Sequence, residues 1–118
     1  MRIFTLDEAS ALLDQLRPLV EQIWECRRDL AIALLEGEVR TVPQGPQPGI
    51  GQRKDEIVRL IERIEHVGCI VKDIDLGLID FPSIRHGRTI YLCWKADEPE
   101  IAHWHDLDVG FSGRQRLT

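Results

Sequence analysis

At Gly68 the spacing of apolar residues in this chain changes from a recurrence every three or four positions to alternation. One face of a helix repeats with a period of about 3.6 and one face of a strand with a period of 2. The chain is therefore expected to be α+β, a long antiparallel helical hairpin followed by a small antiparallel β-meander. A single domain over 1–118 is expected, with helix one at 5–37, a flexible Pro/Gly loop at 41–52 and helix two at 53–67. The meander follows at 69–105 and a C-terminal loop at 106–118.

Helix one starts from a capping box, Thr5-Leu6-Asp7-Glu8, in which Thr5 and Glu8 satisfy each other's backbone N–H groups. Phe4, just ahead of the cap, staples onto Ala9 or its neighbours. Ala9, Leu13, Leu16, Val20, Ile23, Leu30 and Leu34 then form a stripe broken only by Arg27. Pro18 kinks the helix without ending it, because the stripe resumes in phase. Gly37 is the expected stop. TVPQGPQPGIGQ cannot pack, being dominated by Pro and Gly, and reads as a flexible connection. In helix two, Ile57, Leu60, Ile61, Ile64 and Val67 face inward and Gly68 caps the end. Helix one is about twice as long, so half its stripe lacks a partner within one chain. Self-association through the helices into a four-helix bundle is the expectation, with packing on the sheet as the alternative.

In the second half, Cys69–Val71 is a short strand and His86-Gly87 reads as a two-residue hairpin turn. That turn sets Arg85 opposite Arg88, Phe81 opposite Leu92 and Asp80 opposite Cys93. Pro82 cannot donate to a ladder, so its strand should be an edge there. A last strand, Glu100–His105, follows Asp97-Glu98-Pro99, pairing Ala96 with Glu100, Leu92 with Trp104 and Cys93 with His103. Ile79, Phe81, Ile90, Leu92, Trp94 and Trp104 then share a core face, and Asp80, Cys93 and His103 form a row on the other, with His105 two residues along.

Two imidazoles spaced His-x-His, with Asp and Cys nearby, are what a transition metal asks for. One Zn²⁺ or Fe²⁺ held by His103, His105 and either Asp80 or Asp106 is a candidate site, hydrolysis being the chemistry it would serve. The competing reading is a set of solvated sheet residues beside a buried Trp. Cys93 beside His103 could form a thiolate–imidazolium pair, but a buried structural cysteine is the simpler reading. In the closing segment, Phe111 is expected to tuck into the core, Gly110 and Gly113 to supply positive φ, and Arg114 to sit on the surface or to bind a carboxylate.

The net charge of −5 argues against nucleic acid as a partner, since phosphate neutralisation needs concentrated Lys and Arg. Three cysteines without CxxC spacing fit a reducing compartment. The start MRIFTLDEA has no apolar run resembling a signal or a membrane span, so the expected location is the cytoplasm.

The segments FTLDEASALL, KDIDLGLIDFP, LCW, EPEIAHWHDLD and GFSGR resemble a family of small bacterial proteins catalogued as a domain of unknown function. The resemblance covers nearly the whole chain outside the Pro/Gly loop and implies a helical hairpin with a small β region. It centres on Asp80, Trp94, Trp104, His105 and Arg114, less on His103, and brings no activity or cofactor. The expected function is a self-associating interaction or scaffold protein, with Asp80, Trp104, His105 and Arg114 as a surface for a protein or small-ligand partner. Metal binding is the alternative.

Overall fold

The computed structural model describes residues 1–39 and 49–118. Its helices are α1 (Leu6–Ser10), α2 (Leu13–Val39) and α3 (Ile50–His66). Five strands follow, β1 (Ile70–Asp73), β2 (Leu78–Arg85), β3 (Arg88–Lys95), β4 (His103–Asp106) and β5 (Gln115–Arg116). They form one antiparallel sheet in the order β1-β2-β3-β4-β5, so the class is α+β. Among the described residues no helix is long and apolar enough to cross a membrane.

The capping box forms at Thr5, with both reciprocal bonds present at 2.9 and 3.1 Å. The helix it starts is not continuous. Leu12 N–H bonds Ala9 O and Gln15 N–H bonds Leu12 O, both i−3 contacts, and this tight turn divides α1 from α2 upstream of Pro18. Pro18 lies inside α2, and Gly37 does not stop it, for α2 runs on to Val39. The expected long hairpin is thus a 27-residue helix beside one of 17 residues. α3 starts earlier than expected, capped at Gly49, whose N–H bonds Gln52 Oε1 at 2.9 Å. The rest of the expected Pro/Gly loop, up to residue 48, lies outside the described residues.

The core lies between the helices and one face of the sheet. Leu16, Val20 and Ile23 of α2 and Leu60 and Ile64 of α3 meet Ile79, Phe81, Leu92 and Trp94. Phe4 stands edge-on to Phe81 with ring centroids 5.4 Å apart. The first half of the α2 stripe therefore packs on the sheet, while Leu34 is 48% exposed. Arg27, the polar break in that stripe, pairs with Asp75 in the β1–β2 turn. Trp24 donates its Nε1–H to Ile74 O at 2.7 Å in the same turn. Gly77 closes it at φ +66, where a Cβ would stand 2.6 Å from the Trp24 ring. Gly77→Ala, strained and clashing at once, is expected to cost about 2 kcal/mol by urea unfolding.

The β2–β3 register is the one the turn dictates, with Asp80 opposite Cys93 and Phe81 opposite Leu92. His86 and Gly87 both have positive φ, which is what a right-twisted two-residue hairpin needs. β1 covers β2 only as far as Asp80; at Pro82 the outer edge is met instead by Phe4, whose N–H bonds Pro82 O at 2.7 Å. β4 pairs Leu92 with Trp104 and Cys93 with His103, but the expected Ala96–Glu100 pairing does not form. Arg17 bonds the carbonyls of Ala96 and Glu98, and Trp94 Nε1–H bonds Glu98 O at 3.0 Å, drawing that stretch off the sheet toward α2. The C-terminal loop also carries unexpected structure, a 3-10 turn at Phe111–Gly113 and the edge strand β5.

Candidate functional site

The second face of the sheet is as buried at its centre as the first. β2 alternates Ile79 and Phe81 toward the helices with Leu78 and Asp80 away from them, and β3 sends Cys93 to the same side as Asp80. Asp80 is 1% exposed, Cys93 0% and His105 2%. What covers them is the C-terminal segment, with Val109, Gly110 and Phe111 walling a cleft of about 290 Å³. Asp80 and His105 lie at its floor, and Lys72, Asp73, Leu76 and Leu78 form the opposite wall. Alternation from Ile70, opposite Asp80, puts Lys72 on the cleft side, and the register shift between Val71 and Asp73 brings Asp73, opposite Leu78, onto the same side.

Hydrogen bonding fixes the protons here. His105 Nδ1 lies 2.8 Å from Asp106 O, and a carbonyl only accepts, so Nδ1 carries a hydrogen. His105 Nε2 lies 2.9 Å from Asp80 Oδ2, and that contact needs a second proton, held by the carboxyl or by an imidazolium. Burial pushes the Asp80 carboxyl above its ordinary range, against the pull of His105 and Cys93. Burial also drives the Cys93 thiol up to about 12, with Asp80 adding to it, which favours the neutral thiol over a thiolate–imidazolium pair. Asp80 Oδ1 is buried without a hydrogen-bond partner. Ligand atoms of Asp80, Cys93 and His105 all lie within 4.8 Å of one another.

The other expected site residues go elsewhere. His103 faces the same side as His105, but its Nδ1 accepts from Arg114 Nη2 at 2.9 Å, so its place in the cluster is taken by Cys93. Asp106 falls on the opposite face and pairs with Arg88 at 3.0 Å. Trp104 is 7% exposed in the core, beneath Arg85 and Arg88. Arg114 is not a surface charge. Its side chain is 11% exposed and its Nη2 bonds Glu98 at 2.8 and 3.0 Å. The proposed surface of Asp80, Trp104, His105 and Arg114 is therefore no continuous surface: two members line a cleft floor, one is core and one is a tie. Phe111 is not core either, at 40% exposed, but lies under Arg114 and Lys95 at 4.9 and 5.7 Å. Gly110 has φ −109, and Gly113 is likewise outside the left-handed region; its need is space, since a Cβ would stand 2.8 Å from Val109.

The chain belongs to the family described as uncharacterized conserved protein (DUF2203), whose model matches residues 2–117. No curated protein and no solved structure matches it.

Proposed function

We propose that this is a metal-binding protein holding one Zn²⁺ or Fe²⁺ between Asp80, Cys93 and His105, with a coordination position open to the cleft. The observation that carries it is the convergence of three different ligand atoms within 4.8 Å around a buried, unpartnered Asp80 oxygen. Support comes from His105: its Nδ1–H is tied to a backbone carbonyl, which presents the Nε2 lone pair inward as metal-bound histidines do. A mixed N, O and S donor set suits zinc or ferrous iron, and two anionic ligands neutralise the ion in a dry site. Three protein ligands with a fourth place free is the arrangement that activates water, so hydrolysis is the chemistry such a centre would serve.

Binding would release two protons, the Cys93 thiol proton and the one shared by Asp80 and His105, so affinity rises steeply with pH. Thermal melting tests the reading. At a thousandfold excess over Kd, zinc should stabilise the wild type by about 4 kcal/mol, reversed by EDTA. Asp80→Asn keeps a hydrogen-bond donor for His105 Nε2 and so keeps the fold, but should lose the zinc response. Equal responses from both proteins would refute the reading.

Self-association through α2 is a second reading, favoured by Ile32, Leu34 and Leu35, which are 45%, 48% and 67% exposed near its end. Sedimentation velocity across concentration, with Leu35→Glu as the dissociating variant, decides it; a concentration-independent monomer would end it. Three unpaired cysteines and the acidic charge fit a cytoplasmic location, with a small ligand or protein rather than nucleic acid as partner.

A further inference from the structure

The cleft has features that a metal alone leaves unexplained. Leu76, Val109 and Phe111 are 42%, 41% and 40% exposed, and all three line this one depression. Apolar side chains gathered around a polar floor are the usual make-up of a small-molecule site. A volume of about 290 Å³ sits at the small end for such sites, enough for one ring with its substituent and too small for a peptide or a nucleotide.

The charge at the rim is specific. Asp73, the one acid on the wall, has its Oδ1 engaged by the N–H groups of Asp75 and Leu76 at 2.8 and 3.1 Å. Lys95 has Asp97 at 3.8 Å and Arg114 has Glu98. Lys72 has no carboxylate within ion-pair reach among the described residues, and its ammonium rests 4.8 Å above the Tyr91 ring. Tyr91 in turn lies against His105, with ring centroids 5.5 Å apart. A cation without an ion-pair partner among the described residues thus stands beside the dyad, set there by the alternation of β1, at the mouth of an apolar slot.

We infer that the cleft binds a small organic anion, its ring or short chain between Leu76, Val109 and Phe111 and its carboxylate or phosphate paired with Lys72. The inner end of that ligand reaches the floor at Asp80 and His105, and its access to a bound metal is the part that rests on the metal-binding reading. The anion preference and the apolar seat do not depend on the metal.

The test uses benzoate, phenyl phosphate and neutral benzamide, titrated into the full ¹⁵N-labelled chain, once stripped with chelator and once with zinc. Saturable shifts of the Leu76, Gly110 and Phe111 amides are expected, with at least one anion binding roughly fivefold tighter than benzamide, as an ion pair at a half-open site would give. Lys72→Gln should remove that advantage and leave benzamide binding unchanged. Which anion binds tighter identifies the ligand as a carboxylate or a phosphate. The preference in stripped protein stands whether or not zinc binds, so a failed metal reading shows separately, as zinc that changes nothing. Benzamide binding as tightly as both anions, shifts lying outside the cleft, or a preference that survives Lys72→Gln would overturn the inference.

Discussion

Trp94→Ala lowers stability by about 3–5 kcal/mol, the range for removing a large buried ring without refilling the space. Trp94 is 0% exposed at the centre of the sheet, against the helices. Its Nε1–H also holds Glu98 O at 3.0 Å, and the Arg17 guanidinium lies 5.3 Å from its ring, so the cavity opens where sheet, α2 and the 96–100 stretch meet. A domain of this size has roughly 5–15 kcal/mol in all, so the loss takes a large part of it. Thermal melting should show a fall of roughly 12–20 °C in Tm. Trp94→Phe keeps most of the apolar contact and removes one of the two bonds to the Glu98 carbonyl, leaving that from Arg17, and should cost about 1 kcal/mol. Equal losses for the two variants would place the energy in the hydrogen bond and not in packing.

Arg114→Met is expected to cost about 2–3 kcal/mol at pH 7, toward the lower end for breaking a buried pair because Glu98 keeps part of its hydration. The guanidinium bonds both Glu98 oxygens and His103 Nδ1, and it reaches Cys93 O at 3.4 Å. Burial pushes the Glu98 carboxyl up, but the bonds from Arg114 and the Lys95 N–H outweigh it and hold the carboxyl below its ordinary range. A carboxylate whose folded pKa is lowered stabilises the fold above its unfolded pKa, and that contribution is lost as pH falls through the folded value. The gap between wild type and Arg114→Met should therefore be full at neutral pH and shrink on acidification below about pH 4.3. Denaturant unfolding at several pH values measures it; a gap constant across that range would mean the arginine acts through packing alone. The variant also releases the roof over the cleft, since Arg114 stacks on Phe111.

Much of the sheet could be read from the sequence because one device fixes it. Once His86-Gly87 is a two-residue turn, alternation leaves no choice but Asp80 opposite Cys93, and Leu92 opposite Trp104 follows with the next loop. The contents of the site were harder. His103 and His105 share a face, and pairing alone favours His103, which is opposite Cys93. What sends His105 to Asp80 instead is Arg114, which occupies His103 from eleven residues away, held in turn by Glu98. No local pattern carries that information. Cys93 looked like one more buried thiol because its significance lies in a diagonal neighbour. Lys72 was missed because the expected strand ended at Val71, one residue short of it, and β5, with two exposed polar residues, has no alternation to see. The break at Ala11–Leu12 likewise has no Gly or Pro to announce it.

The central claim, that Asp80, Cys93 and His105 converge on one metal ion, meets its most direct test in cobalt substitution. Untagged, chelator-stripped protein is titrated with Co²⁺ while its absorption spectrum is followed, wild type beside Cys93→Ser and Asp80→Asn. The account predicts a thiolate-to-cobalt band that saturates at one equivalent in the wild type and is absent from Cys93→Ser, with much weaker binding by Asp80→Asn. No band after several equivalents, or a band that persists in Cys93→Ser because Cys26 or Cys69 supplies the sulfur, would contradict it.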